Sequence, residues 1–271
     1  MNKCKKRKRR KFRITIHCTE FYINSYCHTE PESHTIKTSI ALNNKFNYTQ
    51  LFFLYNFIMK KYFDSLKQID ITQGFSPEKI FITSDLHLFH KNIIKYVNRP
   101  FDFSPEGCSK MNETLLKKFD RLPEDCLIWN LGDVILNRNV LQEKTSSVIW
   151  RMKQNRKMNL ILGNHDKQCK KDKAETFIDY FTKSGFDMVF NKPIIFNNKY
   201  IFSHEPVFIP QGSNFINIHG HIHNRFVTED FFLSEYNKSF PKKKVNSKNY
   251  INVCMDANNF EILKLNELID F

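Results

Sequence analysis

Five short groups of residues from position 85 onward combine side chains that bind metal ions. Taken together, the groups contain imidazole, carboxylate and amide ligands, and none of them contains a thiolate. Nitrogen and oxygen ligands of this kind suit Mn²⁺, Fe, Zn²⁺ or Ni²⁺. These residue types therefore predict a site for divalent metal ions. The groups are Asp85-Leu86-His87, Gly132-Asp133, Gly163-Asn164-His165-Asp166, Ser203-His204 and His219-Gly220-His221-Ile222-His223.

Each group taken alone has an ordinary structural explanation. An aspartate behind an apolar run, such as Asp133, commonly caps the helix that follows, and an isolated His204 would be a structural histidine. Gly-Asn-His-Asp and Gly-His-x-His are more specific, because few structural needs place an amide, imidazoles and a carboxylate beside a flexible glycine. The five groups together, each behind a predicted strand, favour a functional site over five independent coincidences.

The first groups follow apolar runs that have the composition of buried strands. Runs at residues 79–83, 126–131 and 158–162 alternate with helical patterns, which predicts β-α-β order and a sheet of parallel strands. Functional groups in such sheets lie beyond the carboxyl ends of the strands, where the loops converge. The helical patterns lie at residues 92–97, 109–119 and 140–154.

The second half of the sequence predicts a second sheet that packs on the first. Its apolar runs are short, and little helix separates them apart from a pattern at residues 174–184. The predicted strands are residues 194–196, 200–203, 215–219 and 251–255.

The composition divides the chain into three parts. Residues 1–13 form a basic head, residues 14–75 form an appendage without a recognisable motif, and residues 76–271 form the domain that contains all five groups. Apolar residues at helical spacing from residue 48 to residue 66 predict an amphipathic helix in the appendage, and we expect it to serve packing.

The formal net charge of +14 is concentrated in the head, where nine residues between Lys3 and Arg13 are cations and none is an acid. Such a block repels itself, so it predicts disorder unless an anion neutralises it. Four explanations remain open for it. They are a solvated tail, a nucleic-acid contact, a nuclear localisation signal and contact with an anionic membrane.

The cysteines and apolar runs exclude several classes of protein. The seven cysteines are odd in number and form no C-x-x-C pair, so neither a disulfide framework nor a thiolate zinc site is expected. No apolar segment of a secretory signal follows the head. The longest apolar run, residues 51–59, is shorter than the roughly 20 residues that span a bilayer. We expect a soluble cytoplasmic protein without a membrane span, or a nuclear one if the source or its host is eukaryotic.

In this order, the five groups resemble the motifs of the calcineurin-like metallophosphoesterase superfamily, which run D-x-H, G-D, G-N-H-[DE], H and G-H-x-H. The resemblance covers residues 79–271. The stretch from Ser84 to Tyr96, followed by Asn98-Arg99-Pro100-Phe101, is similar to a branch of small bacterial and phage phosphoesterases, which often has glycine at the position of Phe89. The resemblance implies an α/β fold, a four-layer αββα sandwich of two mixed sheets flanked by helices, with the N-terminal segment as an appendage.

The same resemblance implies a hydrolase of phosphate esters that uses two divalent metal ions, Mn, Fe, Zn or Ni. Asp133 would bridge the two ions. The other ligands it implies are Asp85, His87 and His223 for the first ion, and Asn164, His204 and His221 for the second.

The resemblance also implies roles for residues that surround the metal ligands. His165 would protonate the leaving group or stabilise charge on it, and Asp166 would orient the imidazole of His165. His90 and Arg99 are candidates for substrate contact, with a polar residue at a helix start and a surface ion pair as the alternatives. His219 is expected to be the last residue of its strand.

Hydrolysis of a phosphodiester or a phosphomonoester is the expected activity, and the basic head favours a nucleotide or nucleic-acid substrate. One alternative is a non-catalytic interaction protein on the same fold. Another is a nucleic-acid-binding protein in which the head and the lysines at residues 242–244 contact phosphates. The native metal, the choice between mono- and diester, and the oligomeric state stay open.

Overall fold

The computed structural model of the chain describes residues 61–136, 142–169, 171–172, 174–209, 212–227 and 247–271, and the backbone of residues 15–17 and 20–22. The chain forms two compact units, the first comprising residues 1–61 and 228–245 and the second residues 62–227 and 246–271. In the first unit, β1 (Thr15–His17) and β2 (Glu20–Tyr22) pair antiparallel. The basic head, most of the predicted helix at residues 48–66 and the lysines at residues 242–244 lie outside the described residues.

The first sheet of the second unit has five strands in the order β12-β4-β5-β6-β7. Neighbouring strands from β4 to β7 are parallel, and β12 is antiparallel to β4. Successive side chains of a strand point to opposite faces, so β4 and β5, in which every residue is buried, are covered on both sides. The strands are β4 (Ile80–Thr83), β5 (Leu127–Asn130), β6 (Lys157–Ile161), β7 (Met188–Phe190) and β12 (Leu263–Lys264).

The described part of this unit contains the α-helices α1 (Lys91–Tyr96), α2 (Pro105–Asp120), α3 (Gln142–Lys153) and α4 (Phe177–Ser184). Local sequence explains their ends. The Ser104 hydroxyl accepts a hydrogen bond from the Gly107 backbone N–H at the start of α2, and a capping box starts α4. Met111, Leu115 and Phe119 of α2 pack with α3 and α4 against the outer face of the first sheet.

The second sheet has the strand order β11-β10-β9-β8-β3. Only β8 and β9 are antiparallel within it, and the other neighbours are parallel. Both sheets are therefore mixed. The strands are β3 (Lys67–Gln68), β8 (Ile194–Phe196), β9 (Tyr200–Ser203), β10 (Ile216–His219) and β11 (Tyr250–Asn252).

The two sheets pack face to face over a core that contains Ile82, Trp129, Phe202 and Ile218, all fully buried. The Trp129 indole N–H donates a hydrogen bond of 2.9 Å to the Ile71 carbonyl, which satisfies the polar group of this large side chain. Each large apolar side chain buried here contributes about 1.5–3 kcal/mol. This packing holds the carboxyl ends of the two sets of strands together.

The fold class predicted from the sequence, an α/β sandwich of two mixed sheets flanked by helices, is confirmed. The short strands β3, β7 and β12 were not predicted. β3 pairs with β8, and Ile71 is fully buried, so the compact unit begins at Tyr62, upstream of the domain boundary expected at residue 76. Within the described residues, no helix is both long and apolar enough to span a membrane.

Candidate metal centre

The predicted ligands lie together at the carboxyl ends of strands from both sheets. The segment after β4 is tied to the segment after β5, because the backbone N–H of Asp85 donates to the Gly132 carbonyl and that of His87 to the Asp133 carbonyl, each at 2.9 Å. The Asp85 carboxylate in turn accepts a hydrogen bond of 2.8 Å from the backbone N–H of His221, which follows β10. Three strand ends are thereby joined at one place.

Five of the predicted ligands have left-handed backbone conformations, which non-glycine residues rarely adopt. Such a conformation costs about 1–3 kcal/mol for each residue and persists only where the surrounding structure enforces it. Clusters of these outliers are typical of functional sites. The residues and their φ angles are Asp85 (61°), His87 (51°), Asp133 (53°), His221 (71°) and His223 (52°).

Two glycines of the motifs allow close approach between these segments. A Cβ atom at Gly163 would lie 2.1 Å from the Asp133 Oδ1 atom, and one at Gly220 would lie 2.3 Å from the Asp85 Oδ2 atom. Any side chain at either position would displace a carboxylate of the site. The physical reason for these glycines is therefore packing against ligands.

The first group of possible ligand atoms comes from Asp85, His87 and His223. The Asp85 Oδ1 and His87 Nε2 atoms are 3.5 Å apart, and both are buried without a hydrogen-bond partner among the described residues. Buried polar atoms are normally satisfied. The His223 Nδ1–H donates to an Asp256 carboxylate oxygen at 2.7 Å, which leaves Nε2 of that ring as a ligand. The three side chains therefore offer the Asp85 Oδ1, His87 Nε2 and His223 Nε2 atoms as ligands for a cation.

The second group comes from His204, His221 and Asn164. The His204 Nδ1–H donates to the Leu131 carbonyl at 2.8 Å, so Nε2 is the nitrogen that faces the cluster. The His221 Nδ1 atom lies 3.2 Å from His204 Nε2, and each of these nitrogens lies 3.0 Å from the Asn164 Oδ1 atom. The arrangement brings two imidazole nitrogens and a neutral oxygen to one point.

Asp133 lies between the two groups. Its Oδ2 atom is 3.6 Å from His87 Nε2 in the first group and 3.3 Å from His204 Nε2 in the second. Its Oδ1 atom accepts a hydrogen bond of 2.8 Å from the backbone N–H of His165, which fixes the carboxylate. One oxygen of Asp133 is thus placed to serve both groups.

The electrostatics of the cluster favour added positive charge. Burial opposes ionisation of Asp85 and Asp133, yet the neighbouring imidazoles of His87 and His204 hold the pKa of each carboxyl below its usual value. Burial also disfavours a charged His204, but the two carboxylates outweigh it and raise the pKa of His204 to about 10. A divalent cation bound among these side chains would also neutralise the charge of the two carboxylates. The donor set and its unpartnered atoms therefore fit a metal ion.

The Asp166 carboxylate binds backbone N–H groups of two loops. Its fully buried carboxylate accepts hydrogen bonds from the backbone N–H groups of Asp133 (2.8 Å), Gly163 (2.9 Å) and Val134 (3.0 Å). Burial and the Asp133 carboxylate raise the pKa of Asp166 to about 7, while these backbone donors oppose the rise. Asp166 therefore organises the loops after β5 and β6, and none of these hydrogen bonds reaches the His165 imidazole, which it was predicted to orient.

His165 lies at the exposed side of the cluster, and His90 is buried beside it. The centroid of the His165 ring lies 5.0 Å from that of His87 and 5.5 Å from that of His90. The side chain of His165 is 27% exposed, its Nε2 atom lies 3.9 Å from Asp133 Oδ2, and its Nδ1 atom is buried. His90 precedes α1, and its Nδ1 atom lies 3.4 Å from the Nδ1 atom of His87. Burial, with the neighbouring imidazoles, lowers the pKa of His90 to about 3, so its ring is neutral at pH 7.

Arg99 does not face the exposed side. Its side chain is fully buried, and its guanidinium group pairs with the Asp256 carboxylate at 2.8 Å. A group in this position has no surface to offer a substrate. His219 is the last residue of β10, as predicted, and is also fully buried, with burial lowering the pKa of its ring to about 4.

Two residues near the cluster were missed in the sequence. Asp256 binds the His223 ring, and the Cys254 thiol donates to the Asp85 Oδ2 atom at 3.1 Å. Both stand at the end of the predicted strand 251–255, and the carboxylate of Asp256 follows that strand directly. The sequence signal for Asp256 was that it directly follows a predicted strand, as the five groups do.

Comparisons with known proteins follow the same region of the chain. The model of the family described as "Calcineurin-like phosphoesterase" matches residues 78–262. The uncharacterized protein MJ1445 of Methanocaldococcus jannaschii is 30% identical over 200 residues, which cover 72% of this chain and 91% of that protein. The crystal structure of AQ665, a protein of unknown function from Aquifex aeolicus, aligns with a TM-score of 0.43 and 20% identity over 70% of this chain and 98% of the other.

Proposed function

Since the chain belongs to the calcineurin-like phosphoesterase family, we propose that it hydrolyses phosphate esters with two divalent metal ions. The observation that carries the proposal is the position of the Asp133 Oδ2 atom between two groups of ligand atoms, 3.6 Å from His87 Nε2 and 3.3 Å from His204 Nε2. A carboxylate so placed could be shared by two cations.

We assign each group of ligands to one ion. Asp133 would contribute to the binding of both ions. A bound pair of cations supplies Lewis-acid stabilisation of phosphoryl oxygens and activates water as a nucleophile near neutral pH. The neutral Asn164 oxygen limits the negative charge that would repel a phosphate. The remaining ligands are Asp85, His87 and His223 for one ion, and Asn164, His204 and His221 for the other.

The proton on His87 follows from this assignment and determines the tautomer of His90. If His87 offers Nε2 as a ligand, its proton is on Nδ1, which then donates to His90 Nδ1 at 3.4 Å. The neutral His90 ring therefore carries its own proton on Nε2. That N–H is available to donate to a phosphoryl oxygen of the substrate, so His90 both supports a ligand and contacts the substrate.

His165 is the proposed proton donor to the leaving group. It is partly exposed beside the Asp133 carboxylate, and its backbone N–H is held by that carboxylate. A proton on Nε2 would pass to the departing oxygen as its bond to phosphorus breaks. General acid catalysis of this kind typically contributes about 10²–10⁴-fold in rate.

A nucleotide or nucleic acid is the substrate class that we favour. The Tyr96 side chain on α1 is 66% exposed, and its ring centroid lies 6.0 Å from that of His90. Lys91 and Lys95 on the same helix lie over the ring of Phe103, which is half exposed. Exposed aromatic rings with nearby cations suit bases and phosphates respectively. The ring contact between Tyr96 and His90 connects this surface to the proposed metal centre.

The test is metal analysis coupled to an assay of the purified full-length protein. We expect up to two divalent ions per chain, loss of hydrolysis after chelation, and recovery on addition of Mn²⁺, Ni²⁺ or Zn²⁺. The substrates are chromogenic phosphate monoesters and diesters, followed by nucleoside esters. The Asp133→Asn protein, purified in parallel, controls for contaminating phosphatases.

Two outcomes would contradict the proposal. Full activity in a metal-stripped sample would refute the role of the metals. A protein that binds metal but hydrolyses none of the esters would favour the alternative of a non-catalytic interaction protein on the same fold.

A further inference from the structure

A buried ion pair lies behind the first group of ligands. Arg99 follows α1, and Asp256 lies in a short 3₁₀ helix (Met255–Ala257) after β11. Arg99 Nε donates to Asp256 Oδ1 at 2.8 Å, and Arg99 Nη2 donates to Asp256 Oδ2 at 2.9 Å. The side chains are 0% and 4% exposed. This bidentate geometry is the strong and specific arrangement of a guanidinium group with a carboxylate.

The remaining donors of Arg99 bind the loop that carries Asp85 and His87. Nη2 also donates to the Asp85 carbonyl at 2.7 Å, and Nη1 donates to the Leu86 carbonyl at 2.8 Å and to the Met111 sulfur at 3.4 Å. A guanidinium group has five N–H donors. All five of them are occupied, so Arg99 has none left for a substrate phosphate.

Asp256 extends the same network to the third ligand of the group. Its Oδ2 atom accepts the hydrogen bond from His223 Nδ1 at 2.7 Å. The ion pair therefore touches both chain segments of the group, the loop at Asp85 and the ring of His223, which are far apart in sequence. Because the charges of Arg99 and Asp256 cancel, the pair adds no net charge to the cluster.

We infer that Arg99 and Asp256 are positioning residues that assemble Asp85, His87 and His223 into a metal site before the metal binds; the inference rests on the proposed function. Arg99 binds the backbone carbonyls of Asp85 and Leu86 in the segment where Asp85 and His87 have left-handed conformations. Asp256 keeps the His223 proton on Nδ1, so Nε2 presents its lone pair to the cation. Partners of this kind typically change metal affinity by about 10- to 100-fold when they are replaced.

Asp256→Asn tests the inference with little change of shape. The asparagine has an amide NH₂ group in place of one carboxylate oxygen, so either Arg99 Nε, or both Arg99 Nη2 and His223 Nδ1, would lose their acceptor and face a second donor. An amide N–H directed at His223 Nδ1 would move the ring proton to Nε2 and block that ligand. We expect Mn²⁺ to bind the full-length variant about 10- to 100-fold more weakly at one of two sites, as measured by calorimetry and metal analysis. Excess Mn²⁺ should restore kcat with the substrate KM unchanged.

Arg99→Lys is the second variant, and Arg156→Lys is its matched control. Arg156 is also a buried arginine that donates to carbonyls, those of Leu122, Pro123 and Met152, but it precedes β6 and so lies at the end of the sheet opposite the ligands. We expect both lysine variants to lower the unfolding temperature. Only Arg99→Lys should weaken Mn²⁺ binding.

Three results would overturn the inference in distinguishable ways. Wild-type Mn²⁺ affinity in folded Asp256→Asn and Arg99→Lys proteins would refute the positioning role and leave the proposed function intact. A raised KM for Arg99→Lys with unchanged metal binding would make Arg99 a substrate contact instead. A wild-type chain that binds no metal would refute the proposed function itself, and this inference with it.

Discussion

The His204 ring is fixed by Leu131, because His204 Nδ1 donates a hydrogen bond of 2.8 Å to the Leu131 carbonyl. His204 follows β9 of the second sheet, and Leu131 follows β5 of the first. A carbonyl can only accept, so this contact determines which nitrogen of His204 faces Asp133. The orientation of a proposed ligand on one sheet therefore depends on how that sheet packs on the other.

Asp133→Asn should reduce activity far more than His90→Ala. The first change removes the negative charge and one oxygen of the carboxylate that lies between both groups of ligands, whereas the second removes a support of His87 and at most one substrate contact. We expect a loss of more than about 100-fold for Asp133→Asn, beyond the usual effect of changing a residue that only supports a ligand. Steady-state kinetics and metal analysis of both proteins check this. Equal losses in the two variants would contradict the bridging role.

His165→Ala should lower kcat while leaving metal content nearly intact. The loss should be about 10²–10⁴-fold for an ester whose leaving alcohol is a poor acid, because that oxygen needs a proton. It should be much smaller for a 4-nitrophenyl ester, whose leaving group departs as an anion. The same loss on both esters would argue against proton donation. Loss of the metals would make His165 a ligand.

Tyr96→Ala should raise KM for nucleoside esters and leave small chromogenic esters unaffected. Stacking of a base on an aromatic ring contributes about 1 kcal/mol or more, which is roughly fivefold in KM. Trp150→Ala is the control, since Trp150 is an exposed aromatic residue on α3 near the amino end of β6, away from the ligands. A similar KM for all three proteins on every ester would exclude a stacking role for Tyr96.

Ile71→Ala should destabilise the domain by about 2–5 kcal/mol, the cost of a cavity in a packed core. Ile71 is fully buried between the sheets, and its carbonyl accepts the Trp129 N–H. Thermal or denaturant unfolding of the variant measures the change. A stability equal to the wild type would mean that the segment before residue 76 is not part of the core.

Deletion of residues 1–13 should leave hydrolysis of a small ester nearly unchanged, because none of the proposed site residues precedes Asp85. If the nine cations of the head contact nucleic acid, the deletion should weaken oligonucleotide binding and flatten its salt dependence. Each lost phosphate contact lowers the slope of log K against log salt by about 0.7 to 0.9. Binding of both proteins to one oligonucleotide at several salt concentrations checks this. Equal slopes would exclude the nucleic-acid contact and leave the other three explanations of the head.

The sequence by itself determined the residue types of the site and their place at the ends of strands. Both are local properties: apolar runs of four or five residues identify β4, β5 and β6, and the ligands stand directly behind them. The order of those elements then determined the class of fold. The very short strands β3 and β12 escaped prediction because pairing with a distant strand, and not their own composition, makes them strands.

Only the tertiary structure decided which partner each polar side chain takes. Arg99 and Asp256 are 157 positions apart, and Asp166 binds backbone amides of residues 133–135, contacts that no local pattern records. For Asp166, adjacency in sequence suggested a bond to His165, whereas the turn after β6 directs its carboxylate to the neighbouring loop. The physical reason is that a buried polar group binds whatever donors or acceptors the packed chain brings within reach, and two packed sheets bring together segments from opposite ends of the domain.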